Sequence, residues 1–247
     1  YLAAFVGSLV LSFILTPVFK KIAVRYDILD RPTSLKNHTM PVPYLGGGAI
    51  FLAFLLPVLL WGISKIGYSK ELFSIILGGG IIVLLGLVDD VRKLPWWVKF
   101  IVQFIASLVL IMNGTRLTID ILPYSLNLIL TILWVVGITN AFNIIDVMDG
   151  LSAGVAFIAS GIFFIIAIMT GNMQVGIMTA SLCGATLGFL RYNFKPAQIF
   201  MGDMGSGFLG FIISAIAIKE SYTGTNPIAL FSPLLILAVP IYDTLLV

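Results

Sequence analysis

Tyr124-Ser-Leu-Asn-Leu-Ile-Leu-Thr-Ile-Leu-Trp-Val-Val-Gly-Ile-Thr-Asn140-Ala-Phe-Asn143-Ile-Ile-Asp146-Val-Met-Asp149-Gly150-Leu151 is a run long enough to cross a bilayer, closed by two amides and two carboxylates at three-residue steps. A helix turns about 100° per residue, so steps of three drift slowly and would set Asn140, Asn143, Asp146 and Asp149 on one polar stripe. Acid is scarce in this chain, with 11 Asp and Glu among 247 residues. An ionisable side chain in a spanning helix costs about 2.5–3.5 kcal/mol at the centre on insertion scales. The stripe is therefore read as a site for a cation or a polar ligand.

The composition decides the class. With 60% hydrophobic and 10% charged residues and a mean hydropathy of +1.11, the chain has no water-soluble surface. Working outward from 124–142, apolar runs also fall at 2–19, 44–61, 72–88, 96–113, 150–169, 174–191, 205–219 and 228–247. The expected fold is all-α, a polytopic transmembrane bundle of about nine spans. No linker or low-complexity tract divides it, so residues 1–247 read as one integral-membrane catalytic domain. The first run lacks a cleavage-site pattern and reads as a span, not a signal peptide. Cys183 is the only cysteine, which leaves no intrachain disulfide.

Charge orients the bundle. Nine spans put 20–43, 89–95, 143–149 and 192–204 on one face, together with Lys20, Lys21, Arg25, Arg31, Lys36, Arg92, Lys93, Lys99, Arg191 and Lys195. The other face has Lys65, Lys70, Arg116 and Lys219. By the positive-inside rule the first face is cytoplasmic and the N-terminus is outside. Asp27, Asp30, Asp89, Asp90, Asp146, Asp149 and Asp203 fall on that same face, with Asp243 near it. Arg92 and Lys93 are read first as plain positive-inside charge, and Gly78-Gly79-Gly80 as a helix-packing surface.

Asp89, Asp90, Asp146, Asp149 and Asp203 would repel one another if gathered at a partly dry surface, and a divalent cation would relieve that. Without a Cys or His cluster, an all-oxygen site suits Mg²⁺, with Mn²⁺ as the alternative. Mg²⁺ commonly shares its shell with substrate phosphates. Lys36, Arg92, Lys93, Arg191 and Lys195 would supply cations around such a substrate. No nucleic-acid partner is expected; membrane lipid is, and a homodimer is among the expected assemblies.

Four segments together carry a resemblance: Lys36-x-His38-x-x-Pro41-x-Pro43-x-x-Gly46-Gly47, Asp89-Asp90, Asn140-Ala-Phe-Asn143-x-x-Asp146-x-x-Asp149-Gly150-Leu151 and Phe200-Met-Gly202-Asp203-x-Gly205-Ser206. In order and spacing the chain resembles the polyprenyl-phosphate N-acetylhexosamine-1-phosphate transferase family. Its first loop looks more like the bacterial undecaprenyl-phosphate GlcNAc-1-phosphate transferases than the phospho-MurNAc-pentapeptide transferases. The resemblance implies transfer of N-acetylglucosamine 1-phosphate from UDP-N-acetylglucosamine to undecaprenyl phosphate, with UMP released and Mg²⁺ required. This is a first membrane step of cell-envelope polysaccharide synthesis in the bacterial inner membrane, with the active site on the cytoplasmic face.

By the same resemblance Asp89, Asp90, Asp146 and Asp149 are the catalytic carboxylates, and Asp203 ligates the metal with Asp89 and Asp90. Lys36 and His38, Asn143, Asp149, Asn193 and Phe200 bind substrate, Phe200 by stacking on uracil. Two departures stand out. Val147 occupies a position that is commonly Gly in the family. The chain also ends before the family's last basic, histidine-bearing loop, Asp243 matching the segment that leads into it, so a truncated C-terminus with one or two further spans is expected. A phospho-MurNAc-pentapeptide transferase of the same family is the nearest alternative. A secondary transporter is the alternative from another class, and it would place its polar groups near mid-membrane.

Overall fold

The computed structural model describes residues 1–32, 40–62, 64, 67, 69–220 and 232–246. Almost all of them are helical: α1 (Leu2–Arg25), α2 (Gly46–Pro57, continued by a π-helical turn over Val58–Gly62), α3 (Lys70–Arg92), α4 (Trp96–Met112), α5 (Tyr124–Ile145), α6 (Leu151–Thr170), α7 (Met173–Asn193), α8 (Gly202–Lys219), α9 (Ser232–Ile236) and α10 (Ala238–Leu246). A two-residue antiparallel pair, β1 (Leu29–Asp30) with β2 (Val42–Pro43), is the one departure from an all-helical description among the described residues.

Six helices, α1, α3, α5, α6, α7 and α8, are long and apolar enough to cross a membrane. The apolar runs at 44–61 and 96–113 fold as shorter helices. The last run, 228–247, departs from expectation, because it breaks at Leu237 into two short helices. Pro240 has no N–H to donate to the Ile236 carbonyl one turn back, which opens the ladder at that point.

The bundle is built around α8, whose residues Met204 to Ile218 are all buried. A helix sheathed on every side needs apolar or small residues all round, and α8 supplies them in Gly205-Ser206-Gly207 and Ser214-Ala215-Ile216-Ala217. It packs chiefly against α3 and α5, with α2 and α6 completing the wall. Contact with α3 is backbone to backbone: a Cβ at Gly86 would overlap the Met204 main chain, so only glycine permits this approach. Aromatic edges fill the α2–α8 seam, with Phe54 and Phe208 T-shaped at 5.6 Å. On the far side α1 lies along α7, where the Ser12 hydroxyl donates to the Ala185 carbonyl at 2.7 Å.

The opening polar stripe is not a single helical stripe. Helix α5 stops at Ile145, Asp146 caps its C-terminus, and Gly150 reverses the chain with φ +73°. Asn140 and Asn143 therefore sit on helix, while Asp146 and Asp149 belong to the turn between two spans. The reversal depends on a left-handed residue, which glycine supplies without a steric penalty.

Candidate functional site

Asp89 and Asp90 lie in the last turn of α3, and consecutive helical side chains diverge by about 100°. Each carboxylate consequently meets a different partner. Asp90 faces α8, where Oδ1 accepts the Asp203 main-chain N–H at 2.8 Å and Oδ2 accepts that of Met204 at 3.2 Å. The first N–H groups of a helix have no partner of their own, and here a side chain from another helix supplies one, with its charge at the positive end of the α8 dipole.

Asp89 turns toward α4. Its Oδ1 accepts the Leu94 N–H at 2.6 Å, holding the chain as it leaves α3. Its Oδ2 stands 2.6 Å from Lys99 Nζ, and the same ammonium is 2.6 Å from Asp203 Oδ2. One cation thus joins carboxylates from two helices. The Asp203 side chain is 38% exposed against 6% for Asp89, so the cluster opens to solvent on its Asp203 side.

Sequence reading counts Lys99 only as positive-inside charge and gives it no role in a site. The available signal was its position, a lone cation inside the apolar run 96–113, with Gln103 one turn later on the same face. Gln103 is itself buried and exchanges amide hydrogen bonds with Asn140, which donates at 2.7 Å and accepts at 3.4 Å. Asn143, next on α5, accepts from the Ser206 hydroxyl of α8 at 2.5 Å. Asp89, Lys99, Gln103, Asn143 and Asp203 together line a small cavity of about 10 Å³. Residues of three of the four segments, Asp89, Asn143 and Asp203, meet here through helices α3, α5 and α8, with Lys99 and Gln103 added by α4.

The turn after α5 presents its own acids. Burial, and then the charges of Asp203 and Asp90, push the Asp146 carboxyl well above the usual carboxylate range. Asp149 is exposed and accepts the Ala197 N–H at 3.0 Å. Val147 is 79% exposed, so the departure from glycine falls on a residue that the fold leaves in the open.

Asn193 and Phe200 are fixed by internal contacts. The Asn193 side chain is buried, accepts the Gly150 N–H at 3.1 Å and donates to the Ile199 carbonyl at 2.9 Å. It ties the α5–α6 turn to the segment that leads into α8. Phe200 pairs through its main chain with Pro43 and Gly46 at 2.9 and 3.0 Å, and its ring lies 6.1 Å from that of Tyr44. Tyr44 is a further residue of this region that sequence reading did not single out. Burial first, and then Asp30, raise its phenol above the usual tyrosine range. Lys36 and His38 lie outside the described residues.

Among the described residues no group of three or more His, Cys, Asp or Glu side chains forms a ready cage for a metal. The donors present are nonetheless hard oxygens. Asp90 spends both of its oxygens on amides, and Asp89 and Asp203 face one another across an ammonium. That set fits a Mg²⁺ ion bound by one or two carboxylates, with substrate phosphates and water completing the shell.

Residues 72–221 match the profile of glycosyl transferase family 4. A Bacillus subtilis (strain 168) protein named a probable undecaprenyl-phosphate N-acetylglucosaminyl 1-phosphate transferase is 36% identical over a 249-residue alignment that covers 98% of this chain and 69% of its own. A decaprenyl-phosphate N-acetylglucosaminephosphotransferase of Mycolicibacterium smegmatis (strain ATCC 700084 / mc(2)155) is 29% identical over 274 residues, covering 96% of this chain and 67% of its own. A phospho-N-acetylmuramoyl-pentapeptide-transferase of Clostridium botulinum (strain Alaska E43 / Type E3) is 34% identical over 237 residues, covering 88% and 72%.

Proposed function

The chain belongs to glycosyl transferase family 4, and on that premise we propose that it transfers N-acetylglucosamine 1-phosphate from UDP-N-acetylglucosamine to undecaprenyl phosphate, releasing UMP. A lipid phosphate oxygen bonds to the β-phosphorus of the nucleotide sugar as the bond from that phosphorus to the bridging oxygen breaks. UMP departs with the bridging oxygen. The observation that carries this reading is the Asp89–Lys99–Asp203 cluster, in which carboxylates of two helices meet over a cation at one end of a membrane bundle.

Two anions must be brought together in line, so the chemistry is mostly placement and charge neutralisation. Asp203 and Asp89 would hold Mg²⁺, with Mn²⁺ as a substitute, and the ion would neutralise phosphate charge when bound. Lys99 balances these two carboxylates, and Asp90 keeps the N-terminus of α8, and with it Asp203, in register. Asp146 faces Asp203 and Asp90 from the turn. Asp149, Asn143, Asn193 and Phe200 shape the nucleotide side of the site, Asn193 by holding two segments together, and Lys36 and His38 meet the phosphates.

We propose further that the chain is one catalytic membrane domain of about nine crossings, N-terminus outside and site at the cytoplasmic face of a bacterial inner membrane. The ten-to-four division of Lys and Arg between the faces supports that orientation. GlcNAc is preferred over MurNAc-pentapeptide as the transferred group because the first loop, Lys36 to Pro43, resembles the GlcNAc enzymes and the Bacillus subtilis relative carries that name. Relatives named for MurNAc-pentapeptide transfer keep the second reading in play.

Purified protein in detergent with undecaprenyl phosphate and UDP-N-acetylglucosamine should release UMP in Mg²⁺ and not in EDTA. Parallel reactions with UDP-MurNAc-pentapeptide decide between the two sugars. Release from the pentapeptide donor alone would overturn the GlcNAc assignment, and undiminished turnover in EDTA would overturn the metal.

A further inference from the structure

Where α1 meets the end of α7, a second cavity of about 490 Å³ opens among Pro17, Lys20, Lys21, Val24, Arg25 and Tyr192, with Gln198 at its rim. Pro17, Lys20, Lys21, Val24 and Arg25 follow the i, i+3, i+4, i+7, i+8 spacing of one helix face, so α1 alone presents the three cations beside two apolar residues. Tyr192 closes the other wall, its hydroxyl donating to the Phe13 carbonyl at 3.1 Å. Lys20 reaches Gln198 Oε1 at 3.3 Å. Among the described residues no carboxylate pairs with Lys20, Lys21 or Arg25, the neighbouring Asp27 being taken by Arg31 at 2.7 Å.

Three like charges without a carboxylate partner among the described residues, converging on a cavity with apolar walls, call for an anion that carries an apolar body. The positive-inside bias accounts for their side of the membrane, but not for their sharing one cavity. The chain wall above the cavity continues the apolar theme: the Phe13 ring lies 5.5 Å from that of Tyr192, and Phe13, Ile14 and Val18 are exposed along α1. We propose that this cavity binds an anionic phospholipid of the surrounding bilayer. The phosphate sits among Lys20, Lys21 and Arg25, and the first part of an acyl chain lies against Pro17, Val24 and Tyr192, with Phe13 beyond. The lysine and arginine stems themselves complete the apolar lining. A phospholipid fits better than the polyprenyl phosphate acceptor, because the cavity shares no lining residue with the one at Asp89, Lys99 and Asp203.

Native mass spectrometry of the full chain tests this with dioleoylphosphatidylglycerol and dioleoylphosphatidylcholine as probes. The unaltered protein retains the glycerol lipid at least about tenfold more tightly than the choline lipid, since each basic side chain near an anionic headgroup adds to attraction. The combined K20Q, K21Q and R25Q variant brings the two lipids level, whereas K93Q, which removes a charge from the same end of the bundle, keeps the preference. Should the triple variant fail to fold, V24W fills the cavity with all three cations in place and lowers retention of the glycerol lipid. A preference that survives in both the triple variant and V24W overturns the proposal. So does an equal loss in K93Q, or retention of undecaprenyl phosphate without any of phosphatidylglycerol.

Discussion

The Asp90 carboxylate accepts the main-chain N–H of Asp203 at 2.8 Å, across the seam between α3 and α8. Its sequence neighbour Asp89 instead meets Lys99 and, through it, the Asp203 side chain. Asp90 thus spends both oxygens on backbone N–H groups, whereas Asp89 gives one oxygen to the Leu94 N–H and the other to the Lys99 ammonium.

That division separates two substitutions. Asp90→Ala leaves two helix N–H groups without an acceptor in a packed seam and should cost about 1–2 kcal/mol of stability, as the loss of a helix cap does. Asp89→Asn keeps an oxygen for the Leu94 N–H and leaves Lys99 paired with Asp203, so it should cost less stability than Asp90→Ala while UMP release falls. Thermal unfolding of the two purified variants beside the unaltered protein checks the ordering.

Lys99→Met removes the one cation between Asp89 and Asp203. UMP release should fall by about 10²–10³, the scale for losing one preorganised electrostatic group, and Lys99→Arg should recover part of it. Turnover within a factor of about two of the unaltered enzyme in Lys99→Met would remove Lys99 from the site, given the scale of such losses.

Gly86→Ala should destabilise the bundle by about 1–3 kcal/mol through overpacking, because its Cβ would overlap the Met204 main chain. Gly80→Ala, two turns earlier in the same helix, meets nothing within 4 Å and should be neutral or slightly stabilising. The pair of unfolding midpoints distinguishes seam packing from helix propensity.

Glu220 lies just past α8, buried, with Thr170 Oγ1 at 3.2 Å from one of its oxygens. Burial pushes its carboxyl up to about 7, partly offset by the Thr170 hydrogen bond. A group with a raised folded-state value adds stability below its unfolded value, and that stability is lost as pH rises through the folded one. The unfolding midpoint should accordingly be higher near pH 5 than near pH 8, and Glu220→Gln should flatten that slope.

Much of this could be read from the chain. The described parts of the apolar runs are helical, six of them long and apolar enough to cross a membrane, because a segment in lipid must satisfy its own backbone, and the last run breaks where Pro240 lacks a donor. The convergence of Asp89, Asp90, Asn143 and Asp203 was legible because charged and amide residues are costly near a membrane and stand out. What stayed hidden were pairings between distant segments. Nothing in the local pattern says that Asp90 caps α8, that Lys99 spans Asp89 and Asp203, or that Asn193 joins Gly150 to Ile199. The stripe from Asn140 to Asp149 misled because period alone cannot see the reversal at Gly150, which depends on the buried partner Asn193.

Helix α8 is the least apolar of the six long helices and the most completely enclosed. Its glycines and serines suit protein neighbours better than lipid tails, and every principal neighbour, α2, α3, α5 and α6, precedes it in the chain. During synthesis the socket is thus made before the post that fills it. The carboxylate of Asp203 reaches its place only once α8 has inserted, so the acidic cluster is completed by that one helix, with α9 and α10 still to follow.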